Sequence, residues 1–274
     1  MKKTIITAAL TGAMTPKSKA PALPMTPKEI AEDAVKVWKK GASIVHLHMR
    51  DDNGVGTMDK LRFKETMERI RDTTDLVINF TSSGEVGASD ERRLEHIAEY
   101  KPDLATFDVD TFNWLPGEPF MNSTSFLRKL GNLLQEINVK PEIEIFDYGM
   151  INAAKYFQQK EHVLPDGSLH FQFCLGALGQ SDATPLVLSQ MLTMLPEDAT
   201  WSAFGIGAGH LPILYTAIAL GGNVRVGLED NIYYSKGVVA TNEMLVERAA
   251  KAIELYGNQV ATPDDAREIL GLKK

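Results

Sequence analysis

The chain has 274 residues, of which 44% are hydrophobic and 24% charged, so it can bury a large core as one α/β barrel or as two smaller domains. Its formal net charge is −7 and it has no block of lysines or arginines, which argues against nucleic acid or an anionic membrane and favours small molecules or copies of itself as partners. Cys174 is the only cysteine, which excludes an intrachain disulfide and fits a reducing compartment.

The amino terminus carries two lysines and a short apolar stretch, which superficially resembles a signal peptide. That stretch, residues 4–10, is interrupted by threonine, and no segment approaches the roughly 18 consecutive apolar residues of a membrane span. We therefore predict that residues 4–10 form a first strand and that the protein is cytoplasmic.

β-rich runs and amphipathic helical patterns alternate along the rest of the chain. Strands are predicted at residues 4–10, 43–50, 76–82, 104–111, 142–147, 169–175, 201–206 and 224–229. Helices, several with Thr-Pro, Ser or Asp start signals, are predicted at residues 28–40, 60–71, 91–99, 122–135, 152–159, 186–195, 212–220 and 243–256.

Eight such units in about 250 residues match the size of a (β/α)₈ TIM barrel. We predict a single TIM-barrel domain over residues 1–274, with a short C-terminal helical extension in residues 261–271. A doubly wound parallel sheet is the alternative architecture. The barrel makes one demand that the sequence meets: polar side chains collect at the carboxyl ends of the predicted strands, where a barrel builds its active site.

Two histidines, His46 and His48, lie two residues apart in the apolar run 42–49. Positions i and i+2 of a strand project from the same face, so both rings can reach one metal ion. Neutral imidazole is the commonest nitrogen ligand for zinc and related metals, but a catalytic zinc site needs about three protein ligands and an open position.

The eighth predicted strand supplies a candidate third ligand, Glu229. In residues 223–230 the apolar Val224, Val226 and Leu228 share one face, which leaves Arg225 and Glu229 pointing into the barrel. The result is a set of two histidines and one carboxylate with open positions.

Structural explanations of the same residues stay open at this point. A His-x-His pair on a strand can be hydrogen-bonded in a polar core, and Arg225 can simply pair with Glu229, Glu142 or Glu144, because buried charges must be paired. The glycine-rich segment 205–209 is either a phosphate-binding loop or a turn.

Several segments resemble the β-keto acid cleavage enzymes, whose type member acts on 3-keto-5-aminohexanoate. The most specific are the His-x-His segment and the Arg-Val-Gly-Leu-Glu-Asp-Asn segment at residues 225–231. The resemblance also includes residues 7–13, 24–30, 79–84, 204–207 and 261–272, so it extends over essentially the whole chain.

The resemblance implies a zinc-dependent acyltransferase that condenses a β-keto acid with acetyl-CoA and releases acetoacetate plus a new acyl-CoA. It implies a homotetramer, and it implies roles for individual residues. His46, His48 and Glu229 would hold the metal, Ser82, Gly84 and Thr106 would bind the substrate, and Asp230 with Arg225 would serve the base step, completed by Glu142 or Glu144.

One position departs from the family pattern. Members that cleave the amino substrate have a glutamate at the place of Met14, facing the substrate's amino group. Met14 offers no counter-ion to an ammonium group, so we expect it to contact a β-keto acid with an uncharged or apolar distal group. Lys17 and Lys19 follow closely and would instead suit an acidic one.

Two other functional classes are weighed against this one. A metal-dependent TIM-barrel hydrolase also uses His-x-His, but normally on the first strand, with further histidines on the fifth and sixth; an aldolase-type lyase acting on a small carboxylic acid is a related alternative. A binding protein with a structural metal would need a closed shell of four ligands, and the sequence offers no convincing fourth.

Overall fold

In the computed structural model, which describes residues 1–272, eight parallel strands close into a barrel. Each strand pairs with the next one along the chain, and β8 pairs with β1 through Val224 and Ile6. The predicted TIM barrel is therefore confirmed, and the doubly wound alternative is wrong. The strands are β1 (Ile6–Ala9), β2 (Ile44–Leu47), β3 (Val77–Phe80), β4 (Leu104–Asp108), β5 (Lys140–Ile145), β6 (His170–Leu175), β7 (Thr200–Gly205) and β8 (Asn223–Val226).

Helices follow the strands and cover the outside of the barrel. Their predicted start signals are used: Thr26 caps the first helix in a capping box with Glu29, and Thr184 and Thr241 cap the sixth and eighth. The helices are α1 (Pro27–Lys39), α2 (Lys60–Arg71), α3 (Asp90–Tyr100), α4 (Thr124–Ile137), α5 (Tyr148–Gln159), α6 (Pro185–Leu192), α7 (His210–Ala219), α8 (Asn242–Leu255) and α9 (Pro263–Leu270).

The predicted C-terminal extension is α9, which covers the amino-terminal end of the barrel. Its Ala266 and Leu270 pack in one apolar cluster with Ile5, Ile44 and Leu104 near the starts of the strands. α9 thereby closes this end of the barrel. The opposite end, where the βα loops lie, is where a TIM barrel has its active site. Residues 273 and 274 of the predicted domain lie outside the described residues.

Alternation along the strands separates an apolar outer layer from a polar interior. On β5, Ile143 and Ile145 join the main apolar core between the strands and the helices, whereas Glu142 and Glu144 belong to the buried polar set inside the barrel. The interior of this barrel therefore holds titratable groups that must find partners there.

Three short antiparallel pairs lie in the βα loops: Met49–Arg50 with Gly56–Thr57, Phe112–Asn113 with Pro119–Phe120, and Tyr233–Ser235 with Val238–Val239. Within residues 1–272, no helix combines the length and apolar character needed to span a membrane.

Candidate metal centre and active site

Strand β2 brings its two histidines together at the barrel mouth. His46 is the third residue of β2, and His48 follows the end of that strand. Their ring centroids lie 5.1 Å apart, with the rings at 73°. The Oε1 atom of Glu229 lies 3.5 Å from Nε2 of His46 and 3.6 Å from Nε2 of His48. One potential ligand atom from each of the three residues lies within 4.8 Å of the other two.

Glu229 reaches this position from a turn rather than from a strand, because β8 ends at Val226 and not at the predicted residue 229. The chain bends at Gly227, where a Cβ atom would lie 1.9 Å from the carbonyl oxygen of Ala9. The amides of Asp230 and Asn231 both donate to the Gly227 carbonyl. The inward direction of Glu229 therefore comes from this tight turn and not from the predicted strand parity. The same turn also directs the neighbouring Asp230 inward.

Both histidines are buried in a form that suits metal binding. Burial, reinforced by the charge of Arg225, lowers the pKa of His46 well below its usual value and that of His48 to about 3, so both imidazoles are neutral. Among the described residues, Oε2 of Glu229 is buried without a hydrogen-bond partner. Two neutral imidazoles and a carboxylate with a free oxygen fit a divalent metal ion of the zinc type.

Arg225 joins three carboxylates inside the barrel. Its guanidinium donates twice to Asp230, both bonds being 3.0 Å, and once each to Glu229 (2.6 Å) and Glu144 (3.1 Å). It also lies over the ring of Phe204, 4.6 Å from its centroid. Burial acts to lower the pKa of Arg225, but the surrounding carboxylates outweigh it and raise the pKa well above its usual value. Burial in turn raises the pKa of Asp230 despite this pairing.

Glu144 is the fifth-strand carboxylate that contacts Arg225. It lies opposite Asp108 in the register of β4 and β5. Burial, followed by the charge of Asp108 and a hydrogen bond with it, raises the pKa of Glu144 well above its usual value. Of the two glutamates left open by the sequence, Glu144 is therefore the one that reaches the Arg225 cluster.

Glu142 is placed away from that cluster. It accepts a hydrogen bond from Asn79 Nδ2 at 2.6 Å, and its other oxygen lies 3.8 Å from Nε2 of His170. Its side chain is 0% exposed, and burial raises its pKa to about 7. Glu142 faces Asn79 of β3 and His170 of β6 rather than Arg225. It therefore does not make the expected contact with the Arg225–Asp230 pair.

The expected substrate-binding groups of the third and fourth strands form one polar cluster. The Ser82 amide donates to Thr106 Oγ1 at 3.0 Å, and Ser82 Oγ lies 3.3 Å from the same atom and 3.4 Å from Asp108 Oδ2. Gly84 packs against His48, since a Cβ atom there would lie 2.7 Å from His48 Nδ1. Ser82 and Thr106 thus form one hydrogen-bonded cluster, and Gly84, two residues after Ser82, contacts His48.

Met14 lies in the loop after β1 and is 70% exposed. Gly12, two residues earlier, packs on the metal-centre glutamate, because a Cβ atom on it would lie 2.7 Å from Glu229 Cγ. The loop therefore borders the mouth. Lys17, the other candidate for distal-group recognition, lies 3.5 Å from Glu29 in an ion pair.

Sequence reasoning missed the groups that support the mouth. Arg50 donates to the carbonyls of Gly12 and Thr11 at 2.9 and 3.2 Å, and Arg93 donates to the Ser82 carbonyl at 2.7 Å. An arginine as the last residue of a predicted strand is a signal for Arg50, but Arg93 belongs to an exposed-looking run of α3 and gives none.

The glycine-rich segment after β7 forms a short turn, Gly207–Gly209, that leads into α7. Asn231 fixes this turn: its Oδ1 accepts from the Gly207 amide at 2.8 Å, and its Nδ2 donates to the Gly205 carbonyl at 2.9 Å. The same Nδ2 lies 3.0 Å from Nδ1 of His210. These bonds hold the turn in its place next to Asn231.

Fold and site together define a TIM-barrel protein with a candidate metal centre at the carboxyl ends of its strands. A family model described as beta-keto acid cleavage enzyme matches residues 3–272. The chain belongs to this family.

Relatives of the chain match it over all or nearly all of its length. It is 43% identical to a 3-keto-5-aminohexanoate cleavage enzyme of Fusobacterium nucleatum, with 100% of both chains covered. It is 34% identical to a 3-oxoadipate:acetyl-CoA acetyltransferase of Cupriavidus necator, covering 98% of this chain and 94% of that one. The apo structure of ObcA is similar in fold, with a TM-score of 0.79 at 18% identity over 92% of this chain and 66% of the ObcA chain.

Proposed function

We propose that this protein is a metal-dependent acyltransferase that transfers acyl groups between a β-keto acid and acetyl-CoA. The β-keto acid R–CO–CH₂–COO⁻ and acetyl-CoA would give acetoacetate and the acyl-CoA R–CO–SCoA. The observation that carries this proposal is the placement of His46, His48 and Glu229 next to the Arg225–Asp230 pair at the mouth of a barrel of this family. Two relatives support the same reaction class by their names: one is a cleavage enzyme for a keto acid, and the other transfers an acetyl group between a keto acid and acetyl-CoA.

His46, His48 and Glu229 would hold the metal ion, for which zinc fits the donor set. When bound, such an ion polarises a carbonyl oxygen and stabilises negative charge that develops on it. Asp230 is the proposed base, because burial has raised its pKa toward the range in which a carboxylate accepts a proton near neutrality. Arg225 orients this base through two parallel hydrogen bonds.

Ser82 and Thr106 would bind the substrate carboxylate or carbonyl. Their hydroxyl and amide groups form one hydrogen-bonded cluster, two residues along the chain from Gly84, which packs against His48. Gly84 would contribute its backbone amide as a further neutral donor, on a residue that packs too closely against the His48 ring to carry a side chain. Neutral donors of this kind suit a small anion without neutralising the charge of the nearby base.

The distal group R is proposed to be uncharged or apolar. Met14, exposed on the loop that borders the mouth, supplies no counter-charge for an ammonium group. A panel of β-keto acids with apolar, cationic and acidic distal groups tests this directly through kcat/KM. Clear preference for the cationic member would contradict the proposal, and preference for the acidic member would favour a role for Lys17 and Lys19.

The reaction class is tested by product analysis with ¹³C-acetyl-labelled acetyl-CoA. The proposed transfer places the label in the acetyl half of acetoacetate and forms one acyl-CoA for each acetoacetate. A hydrolase or an aldolase-type lyase would instead consume the keto acid when acetyl-CoA is omitted. Metal analysis of the purified protein, together with His46→Ala, tests whether turnover needs the metal centre.

A homotetramer and a cytoplasmic location complete the proposal. Light scattering of the purified protein and fractionation of the source cells test these two points independently of the chemistry.

A further inference from the structure

Two buried side chains, Asn79 and Glu142, lie beside His46 and have no part in the proposed chemistry. Asn79 is paired with His46 in the register of β2 and β3. Its Nδ2 donates to Glu142 Oε1 at 2.6 Å. Both Asn79 and Glu142 are 0% exposed. Enclosed groups of this kind cannot touch a substrate in the mouth, so any effect they have on function must pass through a neighbour.

His46 is that neighbour, and its Nδ1 atom, the ring nitrogen that does not face Glu229, is free to make a hydrogen bond. Nε2 is the atom that faces Glu229, at 3.5 Å. Within residues 1–272, His46 Nδ1 and Asn79 Oδ1 are both buried without a well-formed hydrogen bond. One is a potential donor and the other an acceptor, on side chains that the sheet register holds together.

Glu142 decides which end of the Asn79 amide faces His46. A carboxylate oxygen accepts hydrogen bonds, so Glu142 Oε1 attracts the Nδ2 group of Asn79. The amide oxygen is then the group left to accept from His46. A histidine that binds a metal through one ring nitrogen almost always donates its other N–H to an acceptor, which fixes the tautomer and the ring orientation.

We propose that Asn79 and Glu142 are positioning residues that hold His46 as the Nδ1–H tautomer, with Nε2 directed toward the metal. The Nδ1–H group donates to Asn79 Oδ1, and Asn79 is held in turn by Glu142. This inference rests on the proposed metal centre. It gives Glu142 a role in metal affinity instead of the role in the base step that the resemblance implied for Glu142 or Glu144.

Zinc affinity, measured by competition with a chromophoric chelator at pH 7.5, tests the proposal. Asn79→Leu and Glu142→Leu should weaken zinc binding by about 10- to 100-fold, the usual cost of losing an outer-shell partner. Glu142→Gln keeps an oxygen that can accept from Asn79, so its zinc affinity should stay within about 3-fold of the wild type. The Glu142 pair keeps the test valid if Asn79→Leu does not fold.

A second measurement reports on the tautomer without metal. In ¹⁵N-histidine-labelled, metal-free protein, the His46 ring nitrogens should show the Nδ1–H pattern in the wild type and a tautomer mixture in Asn79→Leu. The matched control is Ser202→Ala, which removes a buried hydroxyl 3.4 Å from His170 in the same interior. This control should leave both zinc affinity and the His46 signals unchanged.

The outcomes separate this inference from the function on which it rests. Wild-type zinc affinity in Asn79→Leu and Glu142→Leu, with zinc lost in His46→Ala, would overturn the positioning role and leave the metal centre standing. A wild-type protein that binds no zinc or other divalent metal at these residues would overturn both. Equal weakening in Ser202→Ala would show a general effect of the polar interior and would also overturn the proposal.

Discussion

The Nη2 atom of Arg225 and the Oε1 atom of Glu229 lie 2.6 Å apart, and the same oxygen faces both histidine rings. Arg225 therefore holds one oxygen of this carboxylate in place, while Oε2 makes no well-formed hydrogen bond within residues 1–272. A single buried guanidinium thus links the candidate metal centre to the proposed base Asp230. Disturbance of either side should be detectable on the other.

Glu229→Gln should remove most of the bound zinc and lower kcat/KM by at least about 100-fold, because a carboxamide is a poor zinc ligand and no longer balances Arg225. Metal content and acetoacetate release are measured on the same preparation. Glu243→Gln, a half-exposed ion-pair partner of Lys40, is the control and should change neither. Full turnover in a metal-free Glu229→Gln protein would contradict the proposed chemistry.

Arg225→Met should destabilise the metal-free protein by about 3–5 kcal/mol, because it leaves buried carboxylates without their counter-charge. Arg225→Lys should cost less, since it keeps the charge but loses the two parallel bonds to Asp230. Urea unfolding at pH 7.5 measures both. The control is Arg128→Met, in an exposed ion pair with Glu161, where about 1 kcal/mol or less is expected. Similar losses at positions 225 and 128 would exclude the buried network as a source of stability.

The barrel could be predicted from sequence because the signals for each strand and helix lie within that element or next to it in the chain. Apolar runs of strand length, capping residues and amphipathic helices repeat eight times, and each repeat predicts its own unit. The errors arise where one residue overrides the pattern. β8 ends at Val226 because Gly227 approaches the backbone of Ala9. Similarly, α5 begins at Tyr148, ahead of the predicted residue 152, because Asp147 caps it by accepting from the Gly149 amide.

The site was only partly predictable. Strand parity shows which face of a strand a side chain lies on, but not how deep along the barrel axis that side chain lies. Glu142 and Glu144 have the same parity on β5, so sequence could not choose between them. The stagger of the barrel decides: in the strand registers, Glu142 lies opposite His170 and Glu144 opposite Asp108. Depth depends on how eight strands are offset around the barrel, a long-range property that no local pattern carries.

His96 should make stability fall as the pH is lowered. It is fully buried, lies 2.9 Å from the Thr81 carbonyl and stacks on Phe63. Burial lowers its pKa from 6.5 to about 4. Below pH 6.5 the unfolded chain binds a proton at this ring that the folded protein does not bind until about pH 4. The free energy of unfolding therefore decreases as the pH falls through this window.

His96→Gln removes the titrating ring, so the loss of stability between pH 7 and pH 5 should be smaller than in the wild type by about 2 kcal/mol. Urea unfolding of both metal-free proteins at several pH values measures the difference. His162→Asn, at an exposed position, is the control and should keep the wild-type dependence. An unchanged dependence in His96→Gln would show that this ring is not a source of the acid sensitivity.

Met14→Glu should move substrate preference toward a cationic distal group. At 70% exposure Met14 is not part of the core, so the substitution should leave the thermal unfolding midpoint close to that of the wild type. A carboxylate at this position of the mouth would attract an ammonium group and repel an acidic one. Since solvent screens an exposed charge, the ratio of kcat/KM for 3-keto-5-aminohexanoate over 3-oxohexanoate should rise by only about 3- to 10-fold. Met14→Gln has nearly the same size without the charge and should leave that ratio near the wild-type value. If Met14→Glu and Met14→Gln shift the ratio equally, the side chain acts through shape and not through charge, and Met14 does not explain an uncharged distal group.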